Sequence, residues 1–439
     1  MRTDEQLKKS KRVFQNASWI IACRVAQSVL SLVIGMLSAR YLGPANFGTI
    51  NYAASVTAFA VPIMQLGLRN ILVKEFVGQI DRQGEILGTA LLMNSLSAIL
   101  CMIGIFAFSS IANRNEPETI IVCVLYSLNL LFQALEMSQY WFQAKLLSRY
   151  TSLVSLIAYV VTSAYKIYLL ASEKSLYWFA ISYSLDYAII AAALMLFYRK
   201  LCNQRLSVSF ARGKMLLSVS KHYIVSNMLV TVFGYSGNIL LKLLLDDVAV
   251  GYYSAAITTV AMTGFVYNAI IDSARPVIFE SKQSSEESFQ MNVVRLYGII
   301  IFLSAVQCVL FSLLAPTIIH VLYGKDYGQA VFPLRVVVWQ IPFSYIGMVR
   351  NIWILAEGKQ RYLWIINSGG ATVNILINCL LIPVLGVIGA AIAAVLTQFF
   401  TNIVLGFVLK PIRENNHLLM KGLNYRNLIE TFKLLLDRN

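Results

Sequence analysis

The sequence predicts an all-α, polytopic membrane protein of about twelve transmembrane helices, arranged as two six-helix lobes around a central cavity. Three observations predict it: an apolar composition, a succession of stretches long enough to cross a bilayer, and basic residues that fall on alternate sides of those stretches. Of the 439 residues, 58% are hydrophobic and 13% charged, with a mean hydropathy of +0.67, whereas soluble domains average roughly 45–50% apolar and ~25% charged residues. A span needs about 20 mainly apolar residues. Such stretches occur at 13–38, 47–67, 87–110, 119–142, 151–171, 177–198, 222–243, 249–271, 293–318, 331–355, 363–383 and 387–409. Backbone groups in lipid must be satisfied within the segment, so each stretch is read as a helix.

Taken in order, the first stretch follows a basic tail (Lys8, Lys9, Lys11, Arg12) and has no small-residue cleavage site before the second. It is therefore read as a retained helix and not as a signal sequence. The second carries Pro62 and the tenth Pro342. Each proline removes a helix hydrogen bond and is expected to kink its span, marking a candidate hinge. With the N-terminus inside, the tails and even-numbered connections carry 27 Lys and Arg, against five in the odd-numbered ones (Arg40, Arg114, Lys174, Lys242, Lys325). That alternation supports both the number of spans and an orientation with both termini cytoplasmic. It also accounts for the net charge of +15 without a nucleic-acid partner.

The chain divides near its longest polar, basic interval. The expected organisation is a cytoplasmic tail (1–12), a first lobe (13–198), a basic linker (199–221), a second lobe (222–409) and a cytoplasmic tail (410–439). An offset of 203 lays YLGPANFGTINYAAS over LLLDDVAVGYYSAAI, placing Leu42 on Leu245, Phe47 on Val250 and Gly48 on Gly251. Each segment follows the first span of its half. A repeat of this kind implies lobes related by an axis along the membrane normal, with a substrate path between them. The last segment, GLNYRNLIETFKLLLDRN, puts Leu428, Phe432, Leu435 and Leu436 near one helical face, which suits an amphipathic helix on the cytoplasmic leaflet or packing against the bundle.

Ionisable residues inside spans cost roughly 2.5–3.5 kcal/mol on insertion scales and face a bundle interior or a wet cavity. Here they are Arg24 in span 1, Lys166 in span 5 and Arg350 in span 10, with Lys242 near the outer end of span 7 and two acids, Glu136 and Asp186, in spans 4 and 6. Two readings follow. The four bases line a cationic substrate cavity, since arginine and lysine suit phosphate and carboxylate. Alternatively they form internal ion pairs, such as Arg24 with Glu136 or Lys166 with Asp186, and the acids serve pairing or ion coupling. Arg69 and Arg275 sit at the inner ends of spans 2 and 8; they suit a cytoplasmic gate and equally satisfy the positive-inside rule alone.

The six cysteines lie almost all within spans and form no CxxC pair, the three histidines are scattered, and no GxxxxGK[ST] loop exists. Zinc, disulfide and ATPase chemistry are unsupported, so no cofactor and no metal are expected.

ARYLGPANFGTINYA, WFQAKLLSRYTSL, VGYYSAA, YGKDYGQAVFPLRVVVW and PVLGVIGAAIAAVLTQ resemble the polysaccharide-biosynthesis transporters. These are the bacterial O-antigen and capsule repeat-unit flippases, in the superfamily that also holds multidrug exporters and lipid II flippases. The resemblance runs over about residues 13–410. It implies a non-enzymatic transporter in the bacterial inner membrane that carries an undecaprenyl-diphosphate-linked oligosaccharide, of O-antigen, lipopolysaccharide or capsule pathways, to the periplasmic leaflet by alternating access. It also implies partners in a polysaccharide polymerase and a chain-length regulator. One departure is Asn238, where many relatives carry an acid ahead of the basic residue, here Lys242. A cation-coupled multidrug exporter is the second expectation. A membrane-embedded polymerase or acyltransferase is the third, and it lacks the large external loop such an enzyme needs.

Overall fold

The computed structural model describes the backbone of residues 4–423 and the side chains of Cys23 and of residues 26–423. Arg24's side chain and the tail beyond Leu423, including the amphipathic face expected there, lie outside the described residues. The described residues form helices and turns and no strand. Besides the short helix Leu72–Gly78 and several 3-10 turns, the helices are α1 (Asp4–Met64), α2 (Gln83–Ala112), α3 (Pro117–Ala144, in three pieces), α4 (Ser148–Ala171), α5 (Leu176–Leu201), α6 (Phe210–Leu244), α7 (Asp247–Ser284, in two pieces), α8 (Glu286–Tyr323), α9 (Val331–Val337), α10 (Gln340–Ala356), α11 (Arg361–Leu385), α12 (Val387–Val408) and α13 (Arg413–Gly422). Ten helices among the described residues are long and apolar enough to cross a membrane, and the bent pair Lys325–Val337 with Gln340–Ala356 makes an eleventh. The twelfth expected span is hidden in α1.

That helix contains a reversal. Gly43 has φ 72° and ψ 171° inside it, and Pro44 follows. Before the break, Ser31 lies beside Tyr159 and the Tyr41 hydroxyl donates to the Lys174 carbonyl at 3.2 Å, so this part runs alongside α4 in the same direction. After it, Asn113 donates to the Tyr52 hydroxyl at 3.1 Å, Cys101 to the Ala60 carbonyl and Ser97 to the Ile63 carbonyl. Those pairs make residues 52–63 antiparallel to α2. A left-handed φ is cheap only for glycine, and proline is tolerated just inside a helix start.

Many large apolar side chains point outward: Leu100, Ile111, Leu313, Leu380 and Val384 are each about 70% exposed or more. An apolar exterior of this extent is what a bilayer, and not water, accommodates. The chain folds as two compact units, Met1–Thr231 and Val232–Asn439. The division falls inside α6, whose first part packs in the first unit.

In the first unit Leu68, Phe76, Ile86, Leu87, Phe142 and Leu194 form a buried cluster. Trp141 sits edge-on to Tyr198, and its Nε1–H donates to Gln83 at 2.9 Å. Of the interval 199–221, only 202–209 is non-helical. This segment lies across the start of α2, where Gln204 accepts from the Gly84 N–H at 2.9 Å and donates to the Ile80 carbonyl at 2.7 Å. One of the orphan N–H groups of α2 is thereby satisfied. The approach requires glycine: a Cβ at Gly84 or Gly88 would stand 2.3 Å from the carbonyl oxygen of Arg205 or Ser207.

In the second unit α9 and α10 meet at a 44° bend. The cause is Pro342, which lies in the first turn of α10. Its ring excludes the carbonyl four residues earlier, that of Val338. That carbonyl accepts instead from the Cys308 thiol at 3.3 Å and from the Ile341 N–H at 3.1 Å. The bend expected from Pro342 therefore falls at Val338–Trp339. Pro62, by contrast, sits in the last turn of α1, and the only break in that helix's backbone is at Gly43.

Candidate functional site

In the first unit Arg69, Glu136, Asp186 and Lys166 fall into one electrostatic chain. Lys166, on α4, is buried with its Nζ 3.7 Å above the Tyr183 ring of α5. Asp186, one turn further along α5, acts on Lys166 electrostatically, and Glu136 in α3 feels both Asp186 and Arg69. Among the described residues no Asp or Glu oxygen lies within 4.0 Å of Lys166. Lys166 and Asp186 are therefore neighbours without a direct ion pair, and Asp186 accepts the Tyr187 N–H at 3.0 Å. Arg69, in the short 3-10 turn Leu68–Asn70, is exposed.

In the second unit the residues are apart. Lys242, near the end of α6, is bound to Asp247 in the first turn of α7 at 2.5 Å, its side chain 3% exposed. Asn238, one turn earlier, accepts from Ser254 at 3.3 Å. Arg275 is a surface residue paired with Asp272 at 3.2 Å.

Among the described residues Arg350 is the most enclosed cation. It is 2% exposed, and its surroundings depend on an irregularity in α12. Residues Phe400–Val404 form one π-helical turn, in which the i to i+5 pattern displaces carbonyls from their ordinary partners. Arg350 Nη1 donates to the Thr401 carbonyl at 2.8 Å, and Nη2 donates to Asn351 at 3.1 Å. From α13, Asn416 donates to the Ile403 carbonyl at 2.8 Å, while Asn415 accepts from Tyr297 at 2.9 Å. Two glycines let the helices close on this turn, Gly347 against Asn402 and Gly370 against Thr401 and Phe233. The Nε of Arg350 keeps no protein partner.

Sequence reasoning missed three features. The neutral ladder of Ser236, Asn374, Thr397 and Asn378, joined by hydrogen bonds between α6, α11 and α12, has no charge to flag it. The π turn has no composition cue. Arg335, on α9, escaped both the loop count and the intramembrane count although it stands inside span 10.

The sequence model described as "Polysaccharide biosynthesis protein" matches residues 13–282. The capsular polysaccharide biosynthesis protein CapF of Staphylococcus aureus is 21% identical over 393 residues, covering 88% of this chain and 96% of that protein. An uncharacterised membrane protein of Methanocaldococcus jannaschii, MJ1068, is 23% identical over 252 residues, 54% of this chain and 48% of its own length. Among solved structures, the lipid II flippase MurJ in an inward closed conformation superposes with a TM-score of 0.72 at 14% identity, covering 95% of this chain and 92% of that one. An inward-facing multidrug resistance MATE family transporter gives 0.65 at 14% identity, covering 91% and 96%. At such identities the structural likeness establishes the fold, polytopic and helical, and nothing of the role. The family match covers well over half of the sequence, and the chain belongs to the polysaccharide biosynthesis protein family, with the multi-pass helical fold of a membrane protein.

Proposed function

We propose that this protein is a flippase for an undecaprenyl-diphosphate-linked oligosaccharide, a repeat unit of O-antigen or capsule, moved from the cytoplasmic to the periplasmic leaflet of the inner membrane by alternating access. The observation that carries the substrate class is a pair of cations, Lys166 and Arg350, each buried in a membrane helix with no carboxylate within 4.0 Å among the described residues. A cation held at bilayer depth without a directly paired carboxylate is costly, and a transported diphosphate supplies direct pairing during turnover. Lys166 stacked on Tyr183 keeps its donors available, and Arg350 keeps its Nε. Arg24 joins them on sequence grounds. Lys242 contributes least, because Asp247 already neutralises it.

Arg69 and Arg275 remain accessible, consistent with first contact for an anionic headgroup. Glu136 and Asp186 sit in the field of Arg69 and Lys166, which favours internal compensation over capture of a cationic drug. A polymerase and a chain-length regulator would act on the delivered product. The test is reconstitution: proteoliposomes holding wild type should expose a lipid-linked oligosaccharide to an external glycosidase, and Lys166→Gln should slow this severely. Unaided wild-type vesicles combined with export of cationic dyes would favour the multidrug reading instead.

A further inference from the structure

Where α8, α9 and α12 meet, beside the 44° bend, the second unit carries a groove of about 530 Å³ walled by Phe332, Val336, Trp339, Ile392 and Val395, within the size range of small-molecule sites. One charged side chain enters it, Arg335. Its Nε donates to the Ser312 carbonyl of α8 at 3.1 Å. This bond holds the guanidinium over the groove, while its Nη groups make no bond within the described residues. Beside it the Ser312 hydroxyl is buried without a partner.

The groove lies toward the leaflet on the side of the connection 324–330. Arg335 lies four residues from the start of α9, about 6 Å along the helix, and Ile392 to Leu396 lie about 8–14 Å from the start of α12. Both helices start from connections poor in Lys and Arg, residues 324–330 and Gly386, on the side opposite the basic connections. Phe332 and Trp339 are about half exposed, so the groove opens toward lipid. An arginine at that boundary calls for an anion. Its paired Nη groups match phosphate oxygens bidentately, and the fixed Nε restrains it from swinging away to water.

We propose that this groove seats one anionic phospholipid of that leaflet, with an acyl chain along Val336, Trp339, Ile392 and Val395 and the phosphate on Arg335 and the Ser312 hydroxyl. The groove suits a single acyl chain better than a long polyprenyl chain, which would overrun its volume. A basic side chain near the membrane surface favours an anionic headgroup enough to give about a fivefold preference.

The probe is Trp339 fluorescence in vesicles of phosphatidylcholine containing small fractions of dibrominated phosphatidylglycerol or dibrominated phosphatidylcholine. Bromine quenches indole only at contact, and subtracting the Trp339→Phe signal isolates this residue. Wild type should need about fivefold less brominated phosphatidylglycerol than phosphatidylcholine for half-quenching. Arg335→Gln should abolish that preference while leaving quenching itself, Arg335→Lys should keep part of it, and Val395→Phe should weaken quenching by both lipids. Equal quenching by the two lipids in wild type, unchanged by Arg335→Gln, would overturn the proposal. So would displacement of the brominated lipid by stoichiometric polyprenyl phosphate, which would assign the groove to a transported prenyl chain.

Discussion

The junction around Arg350 can be tested through a residue that touches no charge. Gly347 on α10 faces Asn402 in the π turn, and a Cβ there would stand 2.3 Å from Asn402 Oδ1 and 2.6 Å from its Cγ. Gly347→Ala must therefore drive the Asn402 side chain away and break its 2.8 Å bond to Gln398. Overpacking costs about 1–3 kcal/mol and the lost bond about 1 kcal/mol, offset by roughly 1 kcal/mol from replacing a helical glycine with alanine. A net loss of about 1–3 kcal/mol is expected. Asn402→Ala removes the obstacle, so the double variant should be more stable than Gly347→Ala alone, a coupling of the sign and size seen between residues in contact. The assay is the fraction of protein still monodisperse by size exclusion after heating in detergent. If the double variant melts below wild type by the sum of the two single losses, the two residues do not meet and the close approach at the π turn is wrong.

Three further outcomes follow from the same geometry. Gly88→Ala puts a Cβ 2.3 Å from the Ser207 carbonyl and should lift residues 202–209, read as tryptic cleavage after Arg205 several times faster than in wild type; an unchanged rate would mean that the segment is not held there. Gly43→Ala has open space around it but φ 72° and ψ 171°, a conformation essentially confined to glycine, so it should cost about 1–3 kcal/mol from backbone conformation alone in the same melting assay; a melt equal to that of wild type would refute this backbone conformation. Lys242→Met removes the cation bound to the partly buried Asp247, so it should destabilise more than Lys242→Met combined with Asp247→Asn, and the reverse order would show that the pair is not formed.

The spans were legible because lipid imposes two strong constraints, apolar length and loop charge, and both appear in residue counts. What composition cannot register is a break inside a helix or a bond between helices. The α1 reversal was covered by placing a connection at 39–46, although helical structure continues on both sides of Gly43. Pro342 foretold a bend, yet the bend falls at Val338, because a proline acts on the carbonyl one turn earlier. Arg350 was recognisable as a buried cation, but its acceptor, the Thr401 carbonyl, exists only through the π turn. The interval 199–221 read as a polar linker; the pairing of Gly84 with Gly88, four residues apart on one face of α2, was the clue that something lies against that face. Arg335 was overlooked because it stands between the two categories being counted.

The central claim is that buried cations without a directly bound carboxylate serve an anionic lipid-linked saccharide, and the most direct measurement is the leaflet-resolved profile of lipid-linked sugars in a deletion strain. Wild type should clear the cytoplasmic leaflet, whereas Lys166→Gln and Arg350→Gln, inserted and monodisperse, should leave the saccharide accumulated there. A profile unaffected by the deletion, or fully rescued by both variants, would contradict the account.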